Sequence, residues 1–425
     1  MKKNTYKIYT LGCKINQYDS GSLADGFNAA GFKALAGNAD LAIINTCTVT
    51  KTAHAKSRQM LKKAKKENPG AKIALVGCWP KVYKKSAADL RADYVYGAGQ
   101  YDEFIKKITV DFRLEKTNAS RAPRPALRGK SRYFIKVQDG CEQFCSYCVI
   151  PYARGKLRSR PKEEIIDEIV RATEAGYKEV VLSGIHLGLY GKEATRDTRR
   201  GARDGNLAEL VKEILRIKGL GRVRLSSIEI SEVTDDLIDL FARPRKEGIP
   251  YVCKHLHIPL QSGSDKILAL MNRPYDTAYF RAKIEKLRKI MPDVAITTDV
   301  ITGFPGESEE DFRTTYDFIK EVNFSRLHIF PFSAHERAPA SRYPGQIGEK
   351  IKKERADKLR RLGYKLFREY KNKFAGRELE VVVGNLKNGR RLGKSEYYFD
   401  IELDPDLIRA DNGDGLTGGI ITVNF

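Results

Sequence analysis

A run of six predicted strand–helix units between residues 133 and 330 limits the possible folds of this chain more than any other feature. The strands that begin these units cover residues 133–137, 179–182, 223–230, 255–258, 294–301 and 326–330. Repeated units of this length form a parallel sheet with right-handed crossovers. Six of them predict a partly open barrel, short of the closed eight-stranded form. Functional residues are therefore expected at the carboxyl ends of these strands, where barrel enzymes carry their chemistry.

Three cysteines follow the first of these strands, namely Cys141, Cys145 and Cys148. Cysteine thiolates at such spacings suit an iron–sulfur cluster, which normally takes four cysteine ligands. The next cysteine is Cys253, so a four-iron cluster would keep one open iron, as catalytic metal sites do. The alternatives are a structural zinc site or scattered buried thiols. Zinc usually takes two closely spaced ligand pairs, and no second pair or nearby histidine occurs here, so the spacing favours a cluster.

Three further cysteines follow predicted strands in the N-terminal segment. Cys13 comes after a strand at residues 6–11, Cys47 after residues 41–46, and Cys78 after residues 72–76. In open α/β sheets, ligands collect outside the carboxyl ends of the strands. The shared placement predicts that the three thiols converge on one rim and hold a second cluster with an open iron. The alternative is three unrelated buried cysteines, which are common core residues.

The 425 residues predict two or three domains and an α/β fold class. An N-terminal open α/β domain covers residues 1–112, and a Pro- and Arg-rich linker covers residues 113–132. The partial (β/α)6 barrel covers residues 133–372. Strands at residues 378–383, 397–403 and 420–424, separated by glycine-rich turns, predict a small antiparallel β-barrel over residues 373–425.

Charge and cysteine usage indicate the kind of partner and the compartment. Lys and Arg total 77 against 54 Asp and Glu, a net charge of +23, which favours a polyanionic partner such as nucleic acid. A lysine-rich solubilising surface is the alternative. Seven cysteines without a signal peptide indicate reduced thiols and a cytoplasmic protein. No run of eighteen apolar residues occurs, so we expect no transmembrane helix and no membrane partner.

Several stretches carry a family resemblance. The stretch 141–148, with Tyr147 before the last cysteine, resembles the signature of the radical S-adenosylmethionine (SAM) enzymes. Residues 10–20, 45–50 and 76–80 resemble the N-terminal domain of the radical SAM methylthiotransferases. Residues 144–155, 182–186, 224–229, 255–264 and 299–307 extend that resemblance. Within the family, residues 11–14 and His186 look most like the branch that acts on N6-threonylcarbamoyladenosine in tRNA.

The resemblance implies two 4Fe–4S clusters and SAM as cofactors. The cluster on Cys141, Cys145 and Cys148 would bind SAM at its open iron, and the auxiliary cluster on Cys13, Cys47 and Cys78 would carry or supply sulfur. Many radical SAM enzymes accept the SAM amino group on a Gly-Gly-Glu-like turn after the second strand. This chain lacks the Glu there, so backbone carbonyls would take that role. The candidate SAM-contacting residues are Tyr147, Ser183, Gly184, Ser227, Glu229, Gln261 and Ser262.

The resemblance also implies the reaction and the partners. The expected product carries a methylthio group on C2 of N6-threonylcarbamoyladenosine beside the anticodon. The expected partners are the tRNA anticodon stem-loop and an electron donor such as flavodoxin or ferredoxin. The C-terminal barrel matches in position the TRAM domain, a small RNA-binding barrel, although residues 403–415 are acidic. His186, His255 and His257 lie near the predicted rim and could touch substrate.

Three alternative functions stay open at this point. The same chemistry could act on isopentenyladenosine in tRNA or on an aspartate of a ribosomal protein, and the net charge of +23 suits a tRNA or a ribosomal partner equally. The third alternative is a non-catalytic RNA-binding protein with structural or electron-carrying iron–sulfur clusters. That protein would not cleave SAM on reduction.

Overall fold

The computed structural model describes residues 4–114, 131–193, 205–243, 245–404 and 417–425. Most of the predicted linker, and most of the acidic stretch at 403–415, lie outside the described residues. Within the described part of the chain, no helix combines the length and the apolar character that crossing a membrane requires.

The N-terminal segment forms a five-stranded parallel sheet between two layers of helices. Its elements are β1 (Thr5–Thr10), α1 (Lys14–Ala29), β2 (Lys33–Ala34), β3 (Leu41–Thr46), α2 (Lys51–Glu67), β4 (Lys72–Gly77), α3 (Cys78–Val82), α4 (Lys84–Ala88), β5 (Tyr94–Gly97) and α5 (Tyr101–Asp111). The strand order is β2–β1–β3–β4–β5. One face of β3 packs on Phe27 and Phe104, and the other packs on Leu61. Burial on both faces explains why β3 and β4 are continuous apolar runs.

The central segment forms the predicted partial barrel. Its elements are β6 (Tyr133–Lys136), β7 (Gln138–Asp139), α6 (Ile150–Arg154), β8 (Arg158–Ser159), α7 (Lys162–Glu174), β9 (Glu179–Ser183), α8 (Leu207–Ile214), β10 (Arg222–Leu225), α9 (Asp235–Ala242), β11 (Tyr251–Val252), β12 (His255–His257), α10 (Asp265–Leu270), α11 (Thr277–Ile290), β13 (Ala295–Thr302), α12 (Glu309–Val322), β14 (Arg326–Pro331) and α13 (Glu349–Asn372). Two parallel sheets, β11–β10–β9–β6 and β12–β13–β14, meet at a backbone bridge between Ser227 and His257. The order β6–β9–β10–β12–β13–β14 confirms the six-unit prediction.

The third predicted strand is shorter in the structure than residues 223–230. It ends at Leu225, and Ile230–Glu232 forms a 3-10 turn. The chain leaves the sheet here because Ser227 pairs only once, with His257, where the two sheets meet. The fourth strand region is split into β11, which pairs with β10, and β12, which pairs with β13.

The C-terminal segment forms a four-stranded antiparallel sheet in the order β17–β16–β15–β18. Its strands are β15 (Glu378–Lys387), β16 (Arg390–Ser395), β17 (Asp400–Glu402) and β18 (Ile420–Asn424). The antiparallel prediction is confirmed, but β16 was missed because it is basic and contains Gly393. A Cβ at Gly393 would lie 2.6 Å from Cγ2 of Val381 on β15, so glycine is required at this crossing. Tyr398, predicted inside a strand, lies in a turn with a φ of 71°.

The barrel and the C-terminal sheet are joined by buried arginines. Arg222 and Arg224 are both 0% exposed and both pair with the buried carboxylate of Glu179, at 2.6 and 2.8 Å. Their remaining N–H groups donate to the backbone carbonyl oxygens of Lys394 (2.7 Å) and Ser395 (2.9 Å). Because every donor meets a carboxylate or carbonyl, the C-terminal sheet is held against the barrel in one register.

Candidate active site

The loop that carries Cys141, Cys145 and Cys148 lies at the carboxyl end of the first barrel strand and is held at several points. The backbone N–H of Cys141 donates to Gly155 at 3.0 Å, and the Ser146 hydroxyl donates to the Leu270 carbonyl at 2.7 Å. Gly140 precedes the loop with a φ of 80°. A Cβ there would lie 1.8 Å from the Lys156 carbonyl oxygen, so only glycine lets the two backbone segments approach.

Cys13, Cys47 and Cys78 converge at the carboxyl edge of the N-terminal sheet, as the strand-end placement predicted. A Cβ on Gly12 would lie only 2.7 Å from Cβ of Cys47, which shows how closely the Cys13 and Cys47 loops pack. The Asn16 side-chain amide donates to the carbonyls of Leu11 and Thr46, each at 2.8 Å. The side-chain amide oxygen of Asn16 lies 3.9 Å from Sγ of Cys78. Asn16 therefore holds all three cysteine loops in one arrangement.

The chemistry of both cysteine groups fits iron–sulfur clusters better than single metal ions. Among the described residues, the only group of three potential ligand atoms within 4.8 Å of one another is His257, Asp299 and His328. In each cysteine group, at least one pair of sulfur atoms is therefore more than 4.8 Å apart. Two sulfurs bound to the same zinc ion, with Zn–S bonds of about 2.3 Å, can be at most about 4.6 Å apart. Burial also raises the pKa of Cys78 and of Cys148 to about 12, so these thiols would lose their protons only next to a cation such as a metal centre.

Arg273, for which the sequence predicts no role, contacts a sulfur near the barrel rim. Arg273 donates to Sγ of Cys145 at 3.2 Å and to the Tyr147 hydroxyl at 3.3 Å, and it forms an ion pair with Glu229. Burial raises the pKa of Glu229, against the effect of the Arg273 guanidinium. Arg273 lies about 130 residues beyond the cysteine loop, and no local sequence signal links the two.

His186 lies on the other side of the same loop. Its Nδ1 is 3.4 Å from Sγ of Cys141, and its Nε2 is 2.5 Å from the Glu232 carboxylate. Burial alone would lower the pKa of His186, but the hydrogen bonds with Cys141 and Glu232 raise it to about 10. The imidazole therefore places positive charge beside a cysteine of the loop.

A cavity of about 180 Å³ lies between the Cys148 loop and the segment that follows Cys47. Its lining residues are Val49, Thr50, Tyr147, Cys148, Val149, Ile150, Gln261, Asp299, Ile301, Phe330, Pro331, Phe332, Ser333 and His335. His335 donates from Nε2 to the Val49 carbonyl at 2.6 Å and accepts from the Tyr83 hydroxyl at 3.4 Å. The wall of the cavity thus contains direct contacts between the barrel and the N-terminal sheet.

The interior of the barrel below this cavity is polar. Oδ1 of Asp299 is 3.2 Å from Nε2 of His257 and 3.4 Å from Nδ1 of His328. Burial alone would raise the pKa of Asp299, but the hydrogen bonds from the two histidines hold it below its usual range. Asp299 therefore presents to the cavity a negative charge that two imidazoles contact.

A buried carboxylate joins the two cysteine-bearing segments. Asp19, on α1, is 1% exposed and lies 2.6 Å from Nζ of Lys136 and 2.7 Å from a guanidinium nitrogen of Arg154. Arg154 ends α6, six residues after Cys148, and also donates to Asn16. The side chain that organises the N-terminal cysteine loops thus contacts the segment that follows the rim cysteine loop.

The candidate SAM-contacting residues differ in what they face. Tyr147 and Gln261 line the cavity, and Gln261 has a φ of 68°. Ser227 is exposed at the rim beside the buried Glu229.

The other three are packed against protein. The Ser183 hydroxyl donates to the Val181 carbonyl at 3.4 Å, and the hydroxyls of Ser262 and Thr315 form a hydrogen bond of 3.2 Å. A Cβ at Gly184 would lie 2.9 Å from Gln138 Oε1. The structure therefore does not bring these serine hydroxyls to the cavity. Cys253 is a buried thiol, with 0% exposure.

Two family descriptions match parts of the chain. One described as the radical SAM superfamily matches residues 135–319, and one described as "Uncharacterized protein family UPF0004" matches residues 5–97. Among solved structures, the radical SAM methyltransferase TsrM from Kitasatospora setae gives a TM-score of 0.57 at 13% identity, over 80% of this chain and 77% of that one. The radical SAM enzyme OxsB gives 0.51 at 12% identity, over 87% and 56%. Fold and rim cysteines together define a radical SAM protein.

Curated relatives narrow this class. "Threonylcarbamoyladenosine tRNA methylthiotransferase MtaB" of Bacillus subtilis is 39% identical over 89% of this chain and 84% of the relative. The protein of the same name from Thermotoga maritima is 38% identical over 94% and 91%. "tRNA-2-methylthio-N(6)-dimethylallyladenosine synthase" of Syntrophus aciditrophicus is 34% identical over 92% and 86%. The chain belongs to the radical SAM methylthiotransferase family, an enzyme family whose cofactors are two 4Fe–4S clusters and SAM.

Proposed function

We propose that this enzyme adds a methylthio group to C2 of N6-threonylcarbamoyladenosine beside the anticodon of tRNA. The observation that carries the proposal is the cavity between the Cys148 loop and the segment after Cys47, since the reaction needs both cysteine groups next to one substrate atom. The names of the B. subtilis and T. maritima relatives support the choice of substrate. The net charge of +23 suits a polyanionic RNA.

The proposal assigns each cysteine group one cluster. Cys141, Cys145 and Cys148 would hold the cluster that binds SAM, and Cys13, Cys47 and Cys78 would hold the auxiliary cluster. When bound, these cofactors supply a carbon-centred radical and the methylthio sulfur. The protein's own contribution is to hold the thiolates, to place the cations Arg273 and His186 beside the rim sulfurs, and to hold the target base in the cavity. The base must leave its stack, because C2 is not accessible within stacked bases.

The remaining assignments follow from this substrate. Residues 1–112 would form the auxiliary-cluster domain, 113–132 a linker, 133–372 the radical SAM domain and 373–425 a TRAM-like RNA-binding barrel. Tyr147, Gln261, Ser227 and Glu229 are the proposed SAM-contacting side chains, with Ser183, Gly184 and Ser262 contributing through backbone. The partners are the anticodon stem-loop and a flavodoxin- or ferredoxin-like electron donor, and a tRNA substrate indicates the cytoplasm.

The test combines metal content with product analysis. The anaerobically reconstituted enzyme is expected to hold about eight irons and, once reduced, to release 5′-deoxyadenosine and form the methylthio nucleoside in threonylcarbamoyladenosine-containing tRNA. Replacing Cys141, Cys145 and Cys148 together with alanine should lower the iron to about four per chain. The matched control is Cys253→Ala, whose buried thiol belongs to neither group.

Each outcome has a distinct meaning. Iron loss in the control would contradict the assignment of ligands. SAM cleavage without modified nucleoside would indicate a different substrate. The next substrates to test would be tRNA that contains isopentenyladenosine, which is the dimethylallyladenosine in the name of the S. aciditrophicus relative, and a ribosomal protein. An enzyme that retains its clusters but never cleaves SAM would favour the non-catalytic RNA-binding alternative.

A further inference from the structure

A cluster of cationic side chains surrounds Tyr398 at the contact between the C-terminal sheet and the barrel interior. Nζ of Lys14 is 6.0 Å from the centre of the Tyr398 ring, the Arg224 guanidinium 5.3 Å, and Nζ of Lys394 5.0 Å. The ring also stacks on His255, with centroids 4.1 Å apart. Three segments of the chain thus converge on one aromatic ring. We call Lys14, His255 and Tyr398 the Tyr398 site.

The cations of this region are not all balanced by carboxylates. Arg224 shares Glu179 with Arg222, and Lys394 pairs with Asp400 at 2.5 Å. Lys14, by contrast, forms no hydrogen bond or ion pair with any residue in the described ranges. Of these three cations, Lys14 is therefore the one that has no carboxylate at ion-pair distance in the described part of the chain.

Two further polar groups at the Tyr398 site have no partner in the described part of the chain. One is the Tyr398 hydroxyl. The other is Nδ1 of His255, which is buried because the side chain is only 3% exposed; its Nε2 contacts the Thr297 hydroxyl at 3.1 Å. A buried polar atom such as this Nδ1 costs free energy while it has no partner. The Lys14 ammonium, the Tyr398 hydroxyl and the His255 imidazole thus lie close together, and all three can donate hydrogen bonds to a carboxylate.

The Tyr398 site is connected to the cavity along the inside of the barrel. His255 and His257 both contact the Thr297 hydroxyl, and His257 contacts Asp299, which lines the cavity. Residues two apart on a strand face the same side and are separated by about 7 Å. The Tyr398 site thus lies one to two such steps below the cavity. It also lies beside the N-terminal cysteine group, because Lys14 directly follows Cys13.

We propose that Lys14, His255 and Tyr398 bind the carboxylate of the threonyl group of the substrate. The inference rests on the proposed function. The threonylcarbamoyl arm extends from N6 of adenine and ends in a carboxylate, which is ionised at neutral pH. A base whose C2 lies beside Cys13 would extend that arm along the barrel interior, towards Lys14. A dimethylallyl arm has no charge and would leave the ammonium unpaired, so the site would reject it.

The experiment compares two anticodon stem-loops, one with threonylcarbamoyladenosine and one in which the threonyl carboxylate is converted to the amide. The wild-type enzyme is expected to lose about 10- to 150-fold in kcat/KM on the amide, the usual worth of a hydrogen bond to a charged group. Lys14→Met should lose a similar factor on the natural stem-loop and no further activity on the amide. Stem-loop affinity, followed by fluorescence anisotropy, should fall in parallel.

Controls separate this role from effects on the neighbouring cluster. Lys33→Met, on exposed β2, should behave as the wild type on both stem-loops. The iron content of Lys14→Met should equal that of the wild type. If Lys14→Met loses iron, Tyr398→Phe tests the inference instead. This variant removes one hydroxyl from a residue far from the cysteines in sequence, and it should still lower the ratio of kcat/KM on the acid stem-loop to kcat/KM on the amide stem-loop.

Two results would overturn the inference while leaving the proposed function intact. One is a wild-type enzyme that modifies the acid and the amide stem-loops equally well. The other is a Lys14→Met or Tyr398→Phe enzyme that keeps the full wild-type preference for the acid. A wild-type enzyme that modifies neither stem-loop would refute the proposed function itself.

Discussion

Replacing Asp19 with asparagine should separate the two half-reactions of this enzyme. The Asp19 carboxylate lies 2.6 Å from Lys136 and 2.7 Å from Arg154, and it also accepts from the Tyr101 hydroxyl at 3.3 Å. Asp19 belongs to the N-terminal sheet segment, whereas Lys136 and Arg154 belong to the barrel segment. The asparagine keeps the shape and removes the charge, so two cations stay buried without their counter-ion.

The size of the effect follows from that burial. Removing one partner of a buried ion pair costs about 3–5 kcal/mol. The contacts cross between two segments, so the cost falls on their docking. Since about 1.4 kcal/mol corresponds to a factor of ten, the docked arrangement should become roughly 10²- to 10⁴-fold less favoured.

The assay measures both half-reactions on the same sample. Asp19→Asn should retain its iron and should release 5′-deoxyadenosine, because the rim cysteine loop is intact. Methylthio nucleoside formed per 5′-deoxyadenosine should fall steeply, because the N-terminal cysteine group is no longer held beside the substrate. Asp89→Asn, at an exposed position on the same segment, is the control.

The stability of the same variant has a predicted pH dependence. Burial alone would raise the pKa of Asp19, but Lys136 and Arg154 hold it below its usual value. The carboxylate therefore stabilises the folded state above its unfolded pKa of about 3.9, and this contribution is lost as the pH falls towards the folded pKa. The stability gap between wild type and Asp19→Asn should shrink in that range. The reasoning would be refuted if Asp19→Asn formed as much methylthio nucleoside per 5′-deoxyadenosine as the wild type and gave the same pattern of limited proteolysis.

Three further predictions concern stability. Glu179→Gln leaves two buried arginines without their carboxylate and should cost about 3–5 kcal/mol, seen as faster limited proteolysis of the C-terminal sheet; equal resistance would contradict it. Gly393→Ala places a methyl group 2.6 Å from Val381 and should cost about 1–3 kcal/mol, measured from the urea midpoint. Burial, with His335 and Arg58 nearby, lowers the pKa of His54 to about 4, so stability should fall as the pH drops from about 6.5 towards 4, and a His54→Phe enzyme should lose that part of the dependence in melting curves.

The sequence was sufficient to predict the parts of the fold that follow from local patterns. The strand at residues 41–46 has the bounds of β3, because a parallel strand buried on both faces is a short apolar run. All six barrel strands were recognised from the regular alternation of strands and helices. The N-terminal cysteine group was found for a related reason, since each of its cysteines comes directly after a strand and the carboxyl ends of parallel strands share one edge. The other group was found from the close spacing of its three cysteines after one strand.

The parts that were missed depend on contacts between distant residues. Arg273 reaches the cysteine loop, and Asp19 reaches Arg154, from positions more than a hundred residues away, and a single sequence holds no signal for either pairing. Strand β16 was missed because its polar residues lack alternation. Its place in the sheet is decided by neighbours, here by the close packing of Gly393 on Val381.

The same distant contacts determine whether the two cysteine groups can act on one base. The groups belong to different segments, and a hydrophobic interface alone would tolerate small shifts between them. Buried ion pairs and hydrogen bonds do not, because each donor must meet its acceptor at close to 3 Å. Asp19 with Arg154, and His335 with the Val49 carbonyl, are such contacts on two sides of the N-terminal cysteine group. Because a buried ion pair is weak evidence for net stability, we infer that these pairs serve mainly to hold the spacing that the reaction requires.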